Sequence, residues 1–373
     1  MIYMDNAATT LPKPQQVIDA VVYAMQNYAN PSRGSYDQAL DGLRCLMMAR
    51  MAVADLFDCD NPMNVAFTQN ATHALNIAIG GISGHVVTTA SSHNSVLRPL
   101  YKRGDFSVVP LDKKGVLNLE WFERSITDNT EAVVISHASN LTGNVVDINA
   151  IGKICKNKGV KLIIDAAQTA GLIPISMKQT GASAICFSGH KSLYGPQGTG
   201  GIVLGNGYIP KQILVGGSGS ESFSQTHPTV MPDALEAGTQ NAHGIAGLLA
   251  GINYINQLDG QAFAKADKLA RQFANGIKDI PNVILYGDLD APLRTPVVTL
   301  NIEGINSSDV AAILAEKYQI GVRAGAHCAP LMHKTLGTQK TGAVRFSFSH
   351  FNDEQQISLA IQAVKQIALT GGK

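Results

Sequence analysis

Between residues 64 and 204 the chain alternates short apolar runs with stretches of helical spacing, and this alternation limits the fold more than any other feature. Residues 65–67, 86–88, 132–136 and 161–164 read as strands. Residues 72–79, 96–102 and 148–158, which fall between them, read as helices. Strands separated by crossover helices pair in parallel, so the expectation is an α/β sheet covered on both faces. The pattern closes on C-F-S-G-H-K-S-L-Y-G-P-Q-G-T-G-G-I-V-L at 186–204. There the apolar runs 182–187 and 201–204 flank Ser188-Gly189-His190-Lys191, a strand, a tight glycine-rich loop and a second strand, with one lysine in the loop. Between core strands that ammonium loses water and its pKa falls, as an amine nucleophile requires.

The flanks are less regular. Pro12 and Pro14 open a helix with Val17, Val21, Met25 and Tyr28 on one stripe. Residues 30–34 form a polar loop, and Ser35-x-x-Gln38 reads as a capping box for a helix running to about Phe57. Leu40, Leu43, Met47, Met51 and Ala54 are the expected core face of that helix. Residues 206–243, rich in Gly, Ser and Pro, read as a long irregular excursion, and loops of that length usually carry function. After a helix beginning near residue 243 the order changes at about residue 260. It becomes helix (262–279), strands near 283–286 and 296–301, helix (307–318, with Ser307 as N-cap), strand (319–323), loop, strand (343–348) and helix (353–369). The expected division is a large domain over 12–258 and a smaller α+β domain from 1–11 and 259–373.

A net charge of +1 over 373 residues excludes nucleic acid or a membrane surface recognised by bulk charge. The five cysteines are scattered, which fits a reducing compartment, the cytoplasm, better than a disulfide framework. The start, M-I-Y-M-D-N, lacks the basic and apolar regions of a signal peptide. No apolar run reaches the ~18 residues of a membrane span.

Chemistry concentrates at the predicted strand ends. In open α/β sheets ligands bind outside the carboxyl ends of the strands. Five polar clusters fall there: Thr68 to His73, Ser91-Ser92-His93-Asn94, Ser136 to Asn140, Asp165-Ala166-Ala167-Gln168 and Ser188 to Lys191. Each has work to do if the ligand is a phosphorylated aromatic aldehyde. Thr72 opens a helix whose free N–H groups favour a phosphate, and Ser188 and His190 add donors. Asp165 suits a protonated pyridine nitrogen, because a carboxylate behind a buried strand stays charged only beside a cation. Gln168 can donate to a phenolate oxygen, His93 can lie on the ring, and Lys191 can form the Schiff base.

D-N-A-A-T-T, A-T-H-A-L-N, S-S-H-N-S-V-L, S-N-L-T-G-N, D-A-A-Q-T-A-G, F-S-G-H-K-S-L-Y-G-P-Q-G-T-G, E-A-G-T-Q-N, R-A-G-A-H-C-A-P and V-R-F-S-F together resemble the class V aminotransferase family, and within it the cysteine desulfurase branch (NifS/SufS-like). The motifs run from residue 5 to residue 348. The resemblance implies a type I pyridoxal-phosphate fold, with a large, mostly parallel sheet domain of the seven-stranded type and a smaller α+β domain, working as a homodimer. It implies pyridoxal 5'-phosphate as cofactor and L-cysteine as substrate. Lys191 matches the Schiff-base lysine, Asp165 the partner of the pyridine nitrogen, Gln168 the donor to the phenolic oxygen and His93 the ring-stacking, catalytic histidine. Ala71, Thr72, Ser188 and His190 match the phosphate cradle. Gly238 and Thr239 match a segment lent to the neighbouring subunit's phosphate. Asn140 matches a residue near the phenolic oxygen and substrate, and Arg345 the clamp on the substrate carboxylate, a task suited to its charged fork. Arg323 and Ala7 complete the expected substrate side. The departures are Ser92, where the family often carries an acidic residue before the histidine, and E-A-G-T-Q-N in place of E-A-G-T-P-N.

Cysteine sorts the remaining alternatives. Cys45, Cys155 and Cys186 fall within predicted helices or a strand, and Cys59 in a polar turn. Cys328 sits in a loop after His327 with Arg323 upstream, and nearby cations favour a thiolate. The resemblance makes Cys328 the nucleophile that takes the substrate sulfur as a persulfide. Its short R-x-G-x-H-C spacing matches the branch that hands sulfur to an acceptor protein. A selenocysteine lyase or another class V enzyme, such as a small amino-acid aminotransferase or epimerase, uses the same scaffold, and a transaminase has no use for that thiol. A cofactor-free sulfur-relay scaffold has no use for an intact Lys191–Asp165 pair. A dinucleotide site at Gly195 to Gly201 lacks its context, because those glycines join two strands and open no helix. The destination of the sulfur, whether iron–sulfur cluster assembly, tRNA thiolation or a cofactor, stays open.

Overall fold

The computed structural model describes residues 1–32, 34–205 and 207–371. Arg33 of the expected polar loop, Asn206 at the start of the expected excursion, Gly372 and Lys373 lie outside the described residues. The alternating region folds into one seven-stranded sheet, in the order Val65–Thr68, Gly200–Leu204, Ala184–Ser188, Lys161–Asp165, Thr130–Ser136, His85–Thr89 and Phe106–Val109. Only Gly200–Leu204 runs against the others. This is the mostly parallel α/β sheet expected, with one addition. Phe106–Val109 pairs with His85–Thr89 at the sheet edge, and Ser107, which interrupts its apolar residues, masks this four-residue strand in sequence. Parallel strands bury both faces, and the sheet accordingly separates two apolar clusters. Phe67, Val87, Val133, Ile164 and Phe187 belong to one, and Val86, Val134, Ile163 and Cys186 to the other.

Helices Gln15–Asn27 and Asp37–Leu56 pack against Ala242–Leu258. The first turns Val17 and Ala24 inward and leaves Met25 65% exposed, because seven residues, not eight, complete two helical turns. The capping box at Ser35 does not form: the second helix starts at Asp37, and Tyr36 at its N-cap makes no side-chain bond. Its expected core face is only partly core: Ala54 is buried and Leu40 and Met47 are half-buried, but Leu43 and Met51 are exposed, and Ala39, Gly42, Cys45, Leu46, Ala49 and Val53 turn inward. The buried positions fall one residue before the expected ones, about 100° round the helix. A Cβ at Gly251 of Ala242–Leu258 would collide with the Leu193 carbonyl, just past Lys191.

Residues 207–241 contain no helix or strand. One buried ion pair anchors the end of this excursion: Arg50 Nη2 lies 2.5 Å from Glu236 Oε2, and the Phe67 N–H donates to Glu236 Oε1 at 2.6 Å.

The C-terminal region forms a four-stranded sheet, Arg323–Gly325, Ala343–Ser347, Val297–Ile302 and Val283–Tyr286 in that order. Helices Gln261–Ile277 and Glu354–Thr370 contribute Leu269, Phe273, Ile357 and Val364 to a third cluster with Met4 and Phe346. Ser307 is not the N-cap of Ser307–Tyr318; Asn306 caps it and Ser307 donates instead to the Thr341 carbonyl. The expected strand 319–323 divides into Ile320–Gly321, which pairs with Ile2–Tyr3, and Arg323–Gly325. The loop after it holds a short helix, Pro330–Leu336. Residues 5–10 therefore leave this region and run to the rim of the large sheet. Asp5 bridges Ser347, and the Thr10 N–H meets the His190 carbonyl.

Candidate active site

The carboxyl ends of five strands of the large sheet surround a cavity of about 230 Å³. At one end, helix Ala71–Gly80 points its N-terminus inward. Its cap is Asn70, whose side chain accepts from the His73 N–H, so Thr72 is not the cap but the second helical residue. The Ala71 N–H donates to Ser188 Oγ at 3.1 Å. His190 lines the same end. Burial, with Lys191 and Lys13 beside it, holds its pKa down at about 4, and its Nδ1 has no partner. The Ser188 hydroxyl, a helix N-terminus and an unpaired imidazole nitrogen form a cradle for an anion.

Lys191, Asp165, Gln168 and His93 line the remainder. Burial pushes the Lys191 amine down to about 8, against the attraction of Asp165. The loop carrying it is fixed from below. The His190 carbonyl takes Lys13 Nζ at 2.7 Å and Thr9 Oγ1 at 3.1 Å, and Thr10 Oγ1 donates to the Lys191 carbonyl at 2.9 Å. Asp165 ends its strand 6% exposed, and its carboxylate accepts from Ser136 Oγ and the Ala167 N–H, each at 3.0 Å. One carboxylate, held by two neutral donors, thus has room for a cation. Gln168 Nε2 donates to the Ala7 carbonyl at 3.1 Å, which sets Ala7 behind Gln168. His93 is the N-cap of Asn94–Arg103, and burial pushes it to about 4.

Arg345, from Ala343–Ser347, arrives from the small sheet. It is 1% exposed, with Nη2 2.7 Å from Asp5 Oδ1, Nη1 donating to the Asn140 carbonyl at 2.9 Å and Nε unpartnered. Asn140 lines the cavity and donates from Nδ2 to the His327 carbonyl at 2.7 Å, while its own Oδ1 is buried without a partner. That bond holds the cysteine loop, where His327 and Cys328 both have left-handed backbones (φ 50 and 54°). The Cys328 carbonyl accepts from the Asn94 N–H at 2.8 Å, directly after His93, and the thiol is free and half-buried. Cys328 is close enough to Lys191 to raise its pKa. Arg323 is exposed and lies opposite Arg345 across the strand pair.

Two groups named from sequence lie elsewhere. Gly238 and Thr239 are exposed and line a separate cavity of about 470 Å³ with Ser32, Tyr36 and Gly217. His137 is turned into the core against Thr169. Sequence reasoning missed Ser95 and Asn70, which line the cavity, and Asp5 and Lys13, which hold its parts. Asp5 opens the D-N-A-A-T-T motif, Lys13 follows its end by three residues, and Ser95 follows His93 by two, so their positions carried the signal.

The Aminotransferase class-V family model matches residues 2–359. The chain belongs to that family. A class V relative described as "Probable cysteine desulfurase", from Methanothermobacter thermautotrophicus, is 32% identical over 99% of this chain and 95% of its own length. "Cysteine desulfurase IscS" of Shewanella sp. (strain ANA-3) is 29% identical over 98% and 92%. Among solved structures, the apo cysteine desulfurase of Thermococcus onnurineus NA1 superposes with a TM-score of 0.92 at 31% identity, covering 99% of this chain and 95% of that one.

Proposed function

We propose that this class V protein is a pyridoxal-5'-phosphate-dependent cysteine desulfurase that converts L-cysteine to L-alanine and retains the sulfur as a persulfide on Cys328. The observation that carries the reading is the enclosed Lys191 amine, its pKa depressed to about 8, in a cavity with Asp165 and within electrostatic reach of Cys328. The residues fit the cofactor. The unpaired His190 Nδ1, Ala71, Thr72 and Ser188 suit its phosphate, Asp165 its ring nitrogen, Gln168 its phenolic oxygen and His93 its ring face. When bound, the cofactor supplies a sink for the electron pair released at the substrate Cα.

The protein does the rest. Arg345, already oriented by Asp5 and the Asn140 carbonyl, uses its free N–H groups on the substrate carboxylate. Arg323 adds charge at the open side, and Ala7 and Asn140 bound the substrate. Neutral Lys191 takes the Cα proton. The Cys328 thiolate attacks the substrate sulfur, so an S–S bond forms, the Cβ–S bond breaks and Cβ gains a proton. Cys328–SH and cysteine thus become Cys328–S–SH and alanine, with no external oxidant.

The same reading extends to assembly. Exposed Val22, Tyr23, Met25 and Met48 on the first two helices, with Val215, Phe223 and Val230 of the excursion, support a homodimer in which Gly238 and Thr239 reach the partner's phosphate. The division into 12–258 and 1–11 with 259–373 is part of this proposal, as are a cytoplasmic location and a sulfur-acceptor protein. Among the described residues no helix is long and apolar enough to cross a membrane.

The test is incubation of the yellow protein with L-cysteine and a reductant, measuring alanine and sulfide together. Equal amounts are expected. A yellow protein that yields neither, with thiol reductant present, overturns the substrate assignment.

A further inference from the structure

Ser95 is assigned no role by the motif that contains it, yet it makes three hydrogen bonds to two side chains of the cavity wall. Its N–H donates to His93 Nδ1 at 3.0 Å, its Oγ lies 2.9 Å from the same nitrogen, and that Oγ is 2.7 Å from Thr72 Oγ1. The geometry fixes the protons. An imidazole nitrogen that faces a backbone N–H is the acceptor, so Nδ1 carries no hydrogen and the ring proton sits on Nε2. The Ser95 hydroxyl then also donates to Nδ1, and its oxygen accepts from the Thr72 hydroxyl. Thr72 belongs to the anion cradle and His93 to the ring-facing wall, so one serine joins the two ends of the cavity.

We propose that Ser95 is a positioning residue that locks His93 as its Nε2–H tautomer and ties the imidazole to the phosphate-binding helix through Thr72. This rests on the pyridoxal-phosphate reading only for the role of His93; the tautomer itself belongs to the protein alone. The charged groups near the ring are Asp165, Lys191, Arg323 and Arg345. None of them has a hydrogen bond to Nδ1, where both donors come from Ser95. A second consequence follows for protonation. A proton on Nδ1 displaces both Ser95 donors, so His93 can become cationic only by giving up its place as helix cap.

The experiment is long-range ¹H–¹⁵N correlation on protein labelled at histidine nitrogen, with and without cofactor, for the native chain, Ser95→Ala and Ser95→Thr. Signals are assigned to His93 by their loss in His93→Gln. The native protein is expected to show the Nε2–H pattern near neutral pH. Ser95→Ala keeps the amide donor and loses the hydroxyl, so a mixed tautomer signal, a raised His93 titration midpoint and a roughly fivefold loss in kcat with KM unchanged are expected. Ser95→Thr restores all three. A native Nδ1–H pattern, or a Ser95→Ala protein whose His93 signals and titration match the native ones, overturns the proposal. These signals are read without substrate. A protein inactive on L-cysteine that shows the expected pattern overturns the desulfurase reading alone.

Discussion

The two walls of the active cleft are built by opposite means. Asp165, Ser136 and Ser188 stand on the ends of parallel strands whose preceding residues are core, so burial of the sheet places them, and Lys191 follows Ser188 by three residues in a loop that Thr9, Thr10 and Lys13 tie down. Cys328 stands on a loop with two consecutive left-handed residues, held by the bond from Asn140 to the His327 carbonyl and the bond from Asn94 to its own. A non-glycine residue in that conformation carries strain of order 1–3 kcal/mol and persists only where its surroundings enforce it. On the proposed function, the wall assigned to the cofactor is thus fixed mainly by the sheet, and the wall assigned to sulfur by a few polar contacts. The difference suits the chemistry, since a ring must be held still while a thiol that receives sulfur must also give it up.

The sharpest way to break this comparison is to delete one reacting group from each wall. Lys191→Ala is expected to abolish the yellow colour of the bound cofactor and lower kcat/KM by about 10² to 10⁴. Cys328→Ala is expected to keep the native spectrum and form no persulfide, as read by absorbance and by mass spectrometry of the trapped protein. A Cys328→Ala variant that delivers sulfur at the native rate removes Cys328 from the mechanism.

How much of this was legible in sequence follows the same division. The rim residues were readable because a period-two or continuous apolar run stops abruptly at each polar cluster. Cys328 was readable through its unusual neighbours. What stayed hidden depends on contacts distant in sequence. Asp5 meets Arg345, Lys13 meets the His190 carbonyl, and Ser95 meets Thr72 only after the sheet has formed. The methionine stripe misled for a related reason. Apolarity alone favours Met51 over Ala49, but the face that turns inward lies one residue earlier along the helix and carries mostly small residues, Ala39, Gly42, Cys45 and Ala49 among them. The edge strand Phe106–Val109 is four residues long and Ser107 interrupts its apolar residues, which leaves too short a run to read.

A milder change tests the polar restraint on the cysteine wall. Asn140→Ala removes the bond to the His327 carbonyl and leaves the strand ends untouched. Relaxation of the strained loop is expected, seen as faster alkylation of Cys328, with roughly a tenfold fall in kcat/KM. Equal alkylation rates in the variant and native proteins mean that the Asn94 contact alone holds the loop.

The smallest effect, and the finest comparison, is between two half-buried amines beside the same backbone. In protein stripped of cofactor, burial lowers both Lys191 and Lys13 to about 8. Acetic anhydride reacts with the neutral amine, so competitive acetylation of each should reach half its plateau near pH 8, more than two units below a surface lysine. The two should then separate on mutation. Asp165 raises the Lys191 pKa by favouring the ammonium, so Asp165→Asn is expected to move the Lys191 midpoint to lower pH. Lys13 is depressed by desolvation and bound to a carbonyl and a hydroxyl, so its midpoint should stay where it was. A common shift in both would place the effect of Asp165 in the packing of the loop. A shift in Lys191 alone identifies the carboxylate as the charge that faces the reacting amine.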